Sequence, residues 1–186
     1  MSGYEAVVLG ASLGGVEALQ VIVGSMTHRL PMPLLITQHM SPHGSVLDQV
    51  LGRAGPLPVL WAADGGQAEP GGIYLCPPST VMTLEPGLTM RLHEKVVSSR
   101  TVDELFRSAA TAAAAGPSLL AVVLTGMGSD GTQGARAVKA CGGTVIAQDK
   151  PTSVAFGMPG SVIAAELADQ ILPLPEIAGL LAALGA

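Results

Sequence analysis

Three short runs in this chain are apolar almost from end to end: AVVL at 6–9, PLLIT at 33–37 and LLAVVL at 119–124. A strand with one wet face alternates polar and apolar residues, so a run without alternation has to be covered on both sides. That requirement selects a sheet packed between layers of helix. The intervening stretches agree, being amphipathic with Gly, Pro, Ser or Asp at their junctions. The expected class is α/β, an open sheet with crossover helices, and 144–147 (TVIA) supplies a fourth strand.

After the first strand comes GASLGG, then Val16, Leu19, Val21 and Val23 at mostly helical spacing. Residues 45–54 put Val46, Leu47, Val50 and Leu51 on one helix face. A further helix is expected from Val102 to about Ala115, with Thr101 and Glu104 in capping-box register and Gly116-Pro117 as its stop. Two more follow, at 132–141, ended by Gly142-Gly143, and at 174–184, with Pro175 in the first turn. Between 57 and 92 the pattern changes to short β-type pieces (LPVLWA, GIYLCP, TVMTLEPGLTMRL) separated by GG and PG pairs. These suggest hairpins, with Glu85-Pro86-Gly87 as a tight turn. No long linker divides the pieces, so residues 1–186 read as a single domain with a β-hairpin insertion near the middle.

Composition narrows the function. A net charge of −5, one Trp and 3% aromatic residues supply neither the basic footprint nor the stacking rings that nucleic-acid binding uses. The N-terminus has no basic leader, and no apolar run approaches the ~20 residues that span a bilayer, so a cytoplasmic protein without membrane insertion is expected. Cys76 and Cys141 stand far apart without a CxxC partner, which reads as two buried thiols.

Ligands of open parallel sheets gather at the carboxyl ends of the strands. The loops found there carry Ser12 in GASLGG, His39 in TQHMS and Asp130 in TGMGSDG. A serine, a histidine and an aspartate are the parts of a nucleophile, a general base and a group that orients the base. A serine hydroxyl must give up its proton as it attacks, and imidazole suits that exchange in both directions. Gly10, Ala11, Gly14 and Gly15 allow a sharp strand-to-helix turn around Ser12, and the amides of Leu13 and Gly14 would face a developing oxyanion. Gly126, Gly128 and Gly131 permit a tight loop around Met127 and Asp130. The order Ser, His, Asp departs from that of the α/β-hydrolases, despite the GxSxG spelling.

Competing readings exist for the same residues. GASLGG is close to the dinucleotide fingerprint, but the second strand ends in Gln38-His39, where that fold wants an acidic residue for the ribose. His39 and His43 have HxxxH spacing interrupted by Pro42, which argues against a helical zinc pair, so no metal is expected. His28 and His93 read as surface residues. Asp130 alone would be taken for the N-cap of the helix at 132, and Asp64 and Asp149 for turn residues.

In this order VVLGASLGGVEAL, LLITQHM, SRTVDELFRSAA, VVLTGMGSDGTQGARAVKACGGTVIAQD and SVAFGMPGSVI resemble the catalytic domain of the CheB chemoreceptor methylesterases, from Ala6 to about Ile177. The resemblance implies a doubly wound, mostly parallel sheet with helices on both faces. It implies hydrolysis of glutamyl γ-methyl esters on the cytoplasmic helices of methyl-accepting chemoreceptors, and glutamine deamidation in some members. It places the catalytic serine, histidine and aspartate on Ser12, His39 and Asp130, with Met127 lining the site and no cofactor. Leu13 stands where Thr is common, Ser41 where Pro often follows the HM pair, and Ser99-Arg100-Thr101 where Arg-Pro-Ser is usual. The catalytic segment starts within ten residues of Met1, so no receiver domain is expected. The rival readings are a non-catalytic signalling module of the same fold and a nucleotide-binding α/β protein.

Overall fold

The computed structural model describes residues 3–113 and 118–186. The elements run in the order β1 (Ala6–Ala11), α1 (Gly15–Ser25), β2 (Leu34–Gln38), α2 (Leu47–Gly52), β3 (Val59–Trp61), β4 (Ile73–Leu75), β5 (Thr80–Glu85), β6 (Thr89–Glu94), α3 (Thr101–Ala112), β7 (Leu119–Val123), α4 (Thr132–Ala140), β8 (Thr144–Gln148), α5 (Gly157–Ala164), β9 (Gln170–Leu172) and α6 (Leu174–Ala183). The expected helix stop at Gly116-Pro117 lies outside the described residues.

The apolar runs become the middle of a seven-stranded sheet of order β3-β4-β2-β1-β7-β8-β9. Every pairing in it is parallel. All residues of β1, β2 and β7 are buried, as their lack of alternation requires. One face is covered by α1, α2 and α6, whose Leu19, Ile22, Leu51 and Ile177 pack on Leu9, Ile36 and Val122. The other is covered by α3, α4 and α5 together with the β5–β6 hairpin, bringing Phe106, Val138, Met158 and Met82 onto Val8, Leu35 and Ala121. This is the doubly wound α/β architecture. On one side of β1 the chain adds β2, goes to the edge for β3 and fills the gap with β4; it then returns to build outward from β1 through β7, β8 and β9.

The middle segment differs in part from its expectation. Only residues 80–94 form a hairpin, closed by Pro86-Gly87-Leu88 with positive φ at Gly87 and Leu88. LPVLWA and GIYLCP instead yield β3 and β4, parallel neighbours in the main sheet. Ile73, Tyr74 and Leu75 are all buried, and a strand buried on both faces is satisfied between two others, not in an isolated ribbon. The connection from β3 to β4 lies along the hairpin, with Ala68 and Met90 amides donating to Leu88 and Gly66 carbonyls. The hairpin thus occupies the layer where a crossover helix would otherwise pack. Two elements are not marked in the sequence: α5, whose GMPG start is poor in helix formers, and the three-residue β9.

Candidate active site

The ladders flanking β1 continue one residue past its end. The His39 amide donates to the Ala11 carbonyl and the Ser12 amide to the Thr125 carbonyl, each at 3.0 Å. Ser12 and His39 therefore leave adjacent strands at one level, and β7 brings Asp130 in from the opposite side. His39 Nδ1 lies 3.2 Å from Ser12 Oγ, and His39 Nε2 lies 2.8 Å from Asp130 Oδ2. A carboxylate only accepts, so Nε2 carries the ring proton and Nδ1 is left to accept from the serine hydroxyl. The ring is turned the opposite way from the trypsin-type triad, where Nε2 faces the serine.

Asp130 is buried, and burial opposes its charge. Hydrogen bonds from His39 and from the Asp103 and Val102 amides outweigh that cost and hold its pKa below the usual carboxylate value. The two amides, at 2.9 Å and 3.2 Å, belong to the first turn of α3. Asp130 thus caps α3, not α4, whose own N-cap is Gly131 at φ 100. The Thr101–Glu104 capping box is not formed: the N-cap of α3 is Arg100, without a side-chain cap, and Thr101 is buried inside the helix. A carboxylate supplied from a distant loop has taken the place of the local cap.

A polar frame fixes the loop backbones. Gln38 Nε2 donates to the carbonyls of Ser12 at 2.8 Å and His39 at 3.0 Å. Thr125 Oγ1 lies 2.8 Å from the Leu13 carbonyl and accepts from the Ala155 amide at 3.0 Å, while Gln148 Oε1 accepts from the Thr125 amide at 2.8 Å. These residues were not singled out from the sequence, although a polar residue closing an apolar run, as in LLITQ and TVIAQ, is a usable signal. Gln38 also answers the dinucleotide reading, because the position where a ribose-binding acid would stand is turned inward onto the Ser12 loop.

The mouth is open. Leu13 is 52% exposed, Met127 66% and Val154 69%, and each comes from a different loop. Gly14 passes so close to Val154 that an added Cβ would lie 2.5 Å from the valine Cβ, and one on Gly126 would lie 2.7 Å from Ser12 Cβ. Leu13 and Gly14 follow the serine in its loop, Met127 follows the Gly126 that lies against it, and Val154 lies against Gly14. Among the described residues the Leu13 and Gly14 amides have no acceptor. His43, His28 and His93 are exposed. Cys76 is buried and its thiol pushed up by that burial. Cys141 is only partly buried, its Sγ 3.1 Å from the Val138 carbonyl.

The model of the CheB methylesterase family matches residues 7–181. The chain is 41% identical over 182 residues to protein-glutamate methylesterase/protein-glutamine glutaminase 4 of Myxococcus xanthus, covering 94% of this chain and 50% of that protein. It is 41% identical over 191 residues to the protein-glutamate methylesterase/protein-glutamine glutaminase of Moorella thermoacetica, covering 98% and 44%. The chain spans about half the length of the curated relatives it matches. The crystal structure of the Thermotoga maritima CheB methylesterase catalytic domain superposes with a TM-score of 0.90 at 37% identity, covering 97% of this chain and 98% of that one. With the family match running from β1 into α6 and the sheet, helices and hairpin superposing throughout, this chain belongs to the CheB methylesterase family.

Proposed function

We propose that this chain hydrolyses γ-methyl esters of glutamyl side chains on the cytoplasmic helices of methyl-accepting chemoreceptors, giving glutamate and methanol, and that residues 1–186 act as one catalytic unit. The observation that carries the reading is the continuous hydrogen-bonded line from Ser12 Oγ through His39 to Asp130 Oδ2. As Ser12 Oγ attacks the ester carbonyl carbon, its proton passes to His39 Nδ1, and Asp130 stabilises the imidazolium through Nε2–H. The oxyanion faces the Leu13 and Gly14 amides; one such donor is commonly worth ~10²–10³ in rate. Collapse expels methanol, which takes the proton from Nδ1. Water then attacks the acyl-serine and gives a proton to Nδ1, and collapse releases glutamate as Ser12 Oγ takes that proton back from Nδ1. None of these steps requires a cofactor or metal.

An open rim supports a substrate side chain presented on another protein, since such a chain needs only to reach the serine. The names of the relatives include glutaminase, and the same line of groups would release ammonia from a glutamine carboxamide. Among the described residues no helix is long and apolar enough to cross a membrane. A site of action on the cytoplasmic side follows from the substrate proposed. The test is methanol release from methylated receptor membranes: Ser12→Ala and His39→Ala should each abolish it, and undiminished release by either folded variant would overturn the reading.

A further inference from the structure

Asp103 is a carboxylate in the core. It is the third residue of α3, it is 1% exposed, and its neighbours Val102, Leu105 and Phe106 are fully buried. A buried carboxylate survives only when its lone pairs are filled, and those of Asp103 are filled from two sides. Its Oδ1 accepts from the Gly131 amide at 2.9 Å and the Gly134 amide at 2.8 Å, at the start of α4. Its Oδ2 accepts from Arg100 Nε at 2.5 Å.

The arrangement is reciprocal. Asp130, one residue before Gly131, accepts from the α3 amides of Val102 and Asp103, while Asp103, inside α3, accepts from the amides that open α4. Each helix start is capped by the aspartate of the other. Arg100 ties the exchange from outside, because its Nη2 donates to the Ser129 carbonyl at 2.6 Å and lies 3.2 Å from Ser129 Oγ, next to Asp130. The helices leave no slack: a Cβ on Gly134 would lie 2.5 Å from Phe106 Cβ and 3.0 Å from Asp103 Cα.

From this geometry we infer that Asp103 and Arg100 are positioning residues for Asp130, holding the loop at 126–131 against α3 so that Asp130 Oδ2 meets His39 Nε2. Asp103 touches neither His39 nor Ser12, so it acts through the two caps. Without the clasp the loop keeps its own hydrogen bonds but loses its registration on α3, and the imidazole loses its fixed partner. A displacement of about 1 Å at such a distance commonly costs ~10²-fold in rate.

Two variants separate positioning from simple bracing. In Asp103→Asn, Oδ1 can still cap α4 while an amide NH₂ is set against Arg100 Nε. In Arg100→Ala, a half-exposed side chain is removed and folding should be kept. The readouts are thermal unfolding, the downfield proton resonance of His39 Nε2–H bonded to a carboxylate, the rate at which an organophosphonate labels Ser12, and kcat and KM for methyl-ester hydrolysis. Arg100→Ala should lower kcat and the labelling rate about tenfold with KM unchanged, and Asp103→Asn by about a hundredfold. In both, the downfield resonance should move upfield or be lost to exchange, and Arg100→Lys should restore part of the rate. Folded variants with wild-type kcat, labelling rate and resonance would overturn the inference; if Asp103→Asn does not fold, Arg100→Ala decides alone. The inference rests on the hydrolase reading only for kcat and KM. Arg100-dependent labelling without methyl-ester hydrolysis would refute that reading and uphold this one.

Discussion

Gln38 holds Ser12 by its main chain: the side-chain Nε2 of the one donates to the carbonyl oxygen of the other at 2.8 Å. The same nitrogen reaches the His39 carbonyl, so one buried amide joins the loops that carry the proposed nucleophile and the proposed base. Gly15 makes room for it, since a Cβ there would fall 2.0 Å from Gln38 Oε1.

Gln38→Leu should therefore leave the His39 carbonyl unpaired and the Ser12 carbonyl with the Gly15 amide alone. Such a loss costs roughly 1–3 kcal/mol, so the unfolding free energy measured in urea should fall by an amount in that range. Turnover should fall by more than the unfolded fraction explains. A variant with unchanged midpoint and unchanged kcat would show that the Ser12 loop is held by other means.

Gly126→Ala is expected to act on chemistry more than on affinity. The added methyl would meet Ser12 Cβ at 2.7 Å and Met158 Sδ at 2.3 Å, and Met158 is fully buried. Overpacking of this kind costs about 1–3 kcal/mol, and displacing the serine should reduce kcat ~10²-fold. Gly128→Ala is the control. A Cβ on Gly128 would meet nothing within 4 Å, so only its positive φ of 78 should be felt, as a penalty of roughly 1–2 kcal/mol.

Asp130 makes stability depend on acid pH. Its folded pKa lies below the ordinary carboxylate value because the His39, Asp103 and Val102 hydrogen bonds outweigh burial. Above the unfolded value of about 3.9 both states are ionised and the full stabilisation is present. As pH falls below that value the unfolded chain takes up the proton first, and the stabilisation is withdrawn until the folded carboxylate titrates too. Urea midpoints at pH 5, 4 and 3 should fall less steeply for Asp130→Asn than for the wild type; parallel slopes would contradict the assignment.

The apolar rim should be separable from the fold. Leu13 and Val154 are more than half exposed, so Leu13→Ala and Val154→Ala should change stability by no more than about 0.5 kcal/mol. Loss of their contacts with a bound substrate should raise KM about 3–10-fold with kcat little altered. A fall in kcat at constant KM would mean that these side chains shape the transition state instead.

Much of this was legible in the residues alone. Runs such as AVVL and LLAVVL can be satisfied only in a covered parallel sheet, and the rule that ligands gather at strand ends then points to Ser12, His39 and Asp130. What escaped was everything settled between elements distant in sequence. Thr101 and Glu104 have the spacing of a local capping box, yet the cap arrives from Asp130 across the fold. Asp103 reads as an ordinary acid in a first helical turn until α4 is packed against it. GIYLCP reads as a hairpin piece because its short length hides which neighbours it will find. Val154 stands in a loop before an unmarked helix, and nothing local assigns it to the serine.

The winding of the sheet around β1 also bears on how the chain acquires its fold. One neighbour of β1 pairs from Leu34 and the other only from Leu119, so on the ribosome Val7 and Val8 gain the first early and wait for the second until β7 has emerged. Pairings so far apart in sequence form slowly, and a strand edge left bare in the meantime is a template for association with other nascent chains. Synthesis stalled anywhere before β7 would release a half-built sheet whose fully buried first strand is open along one side.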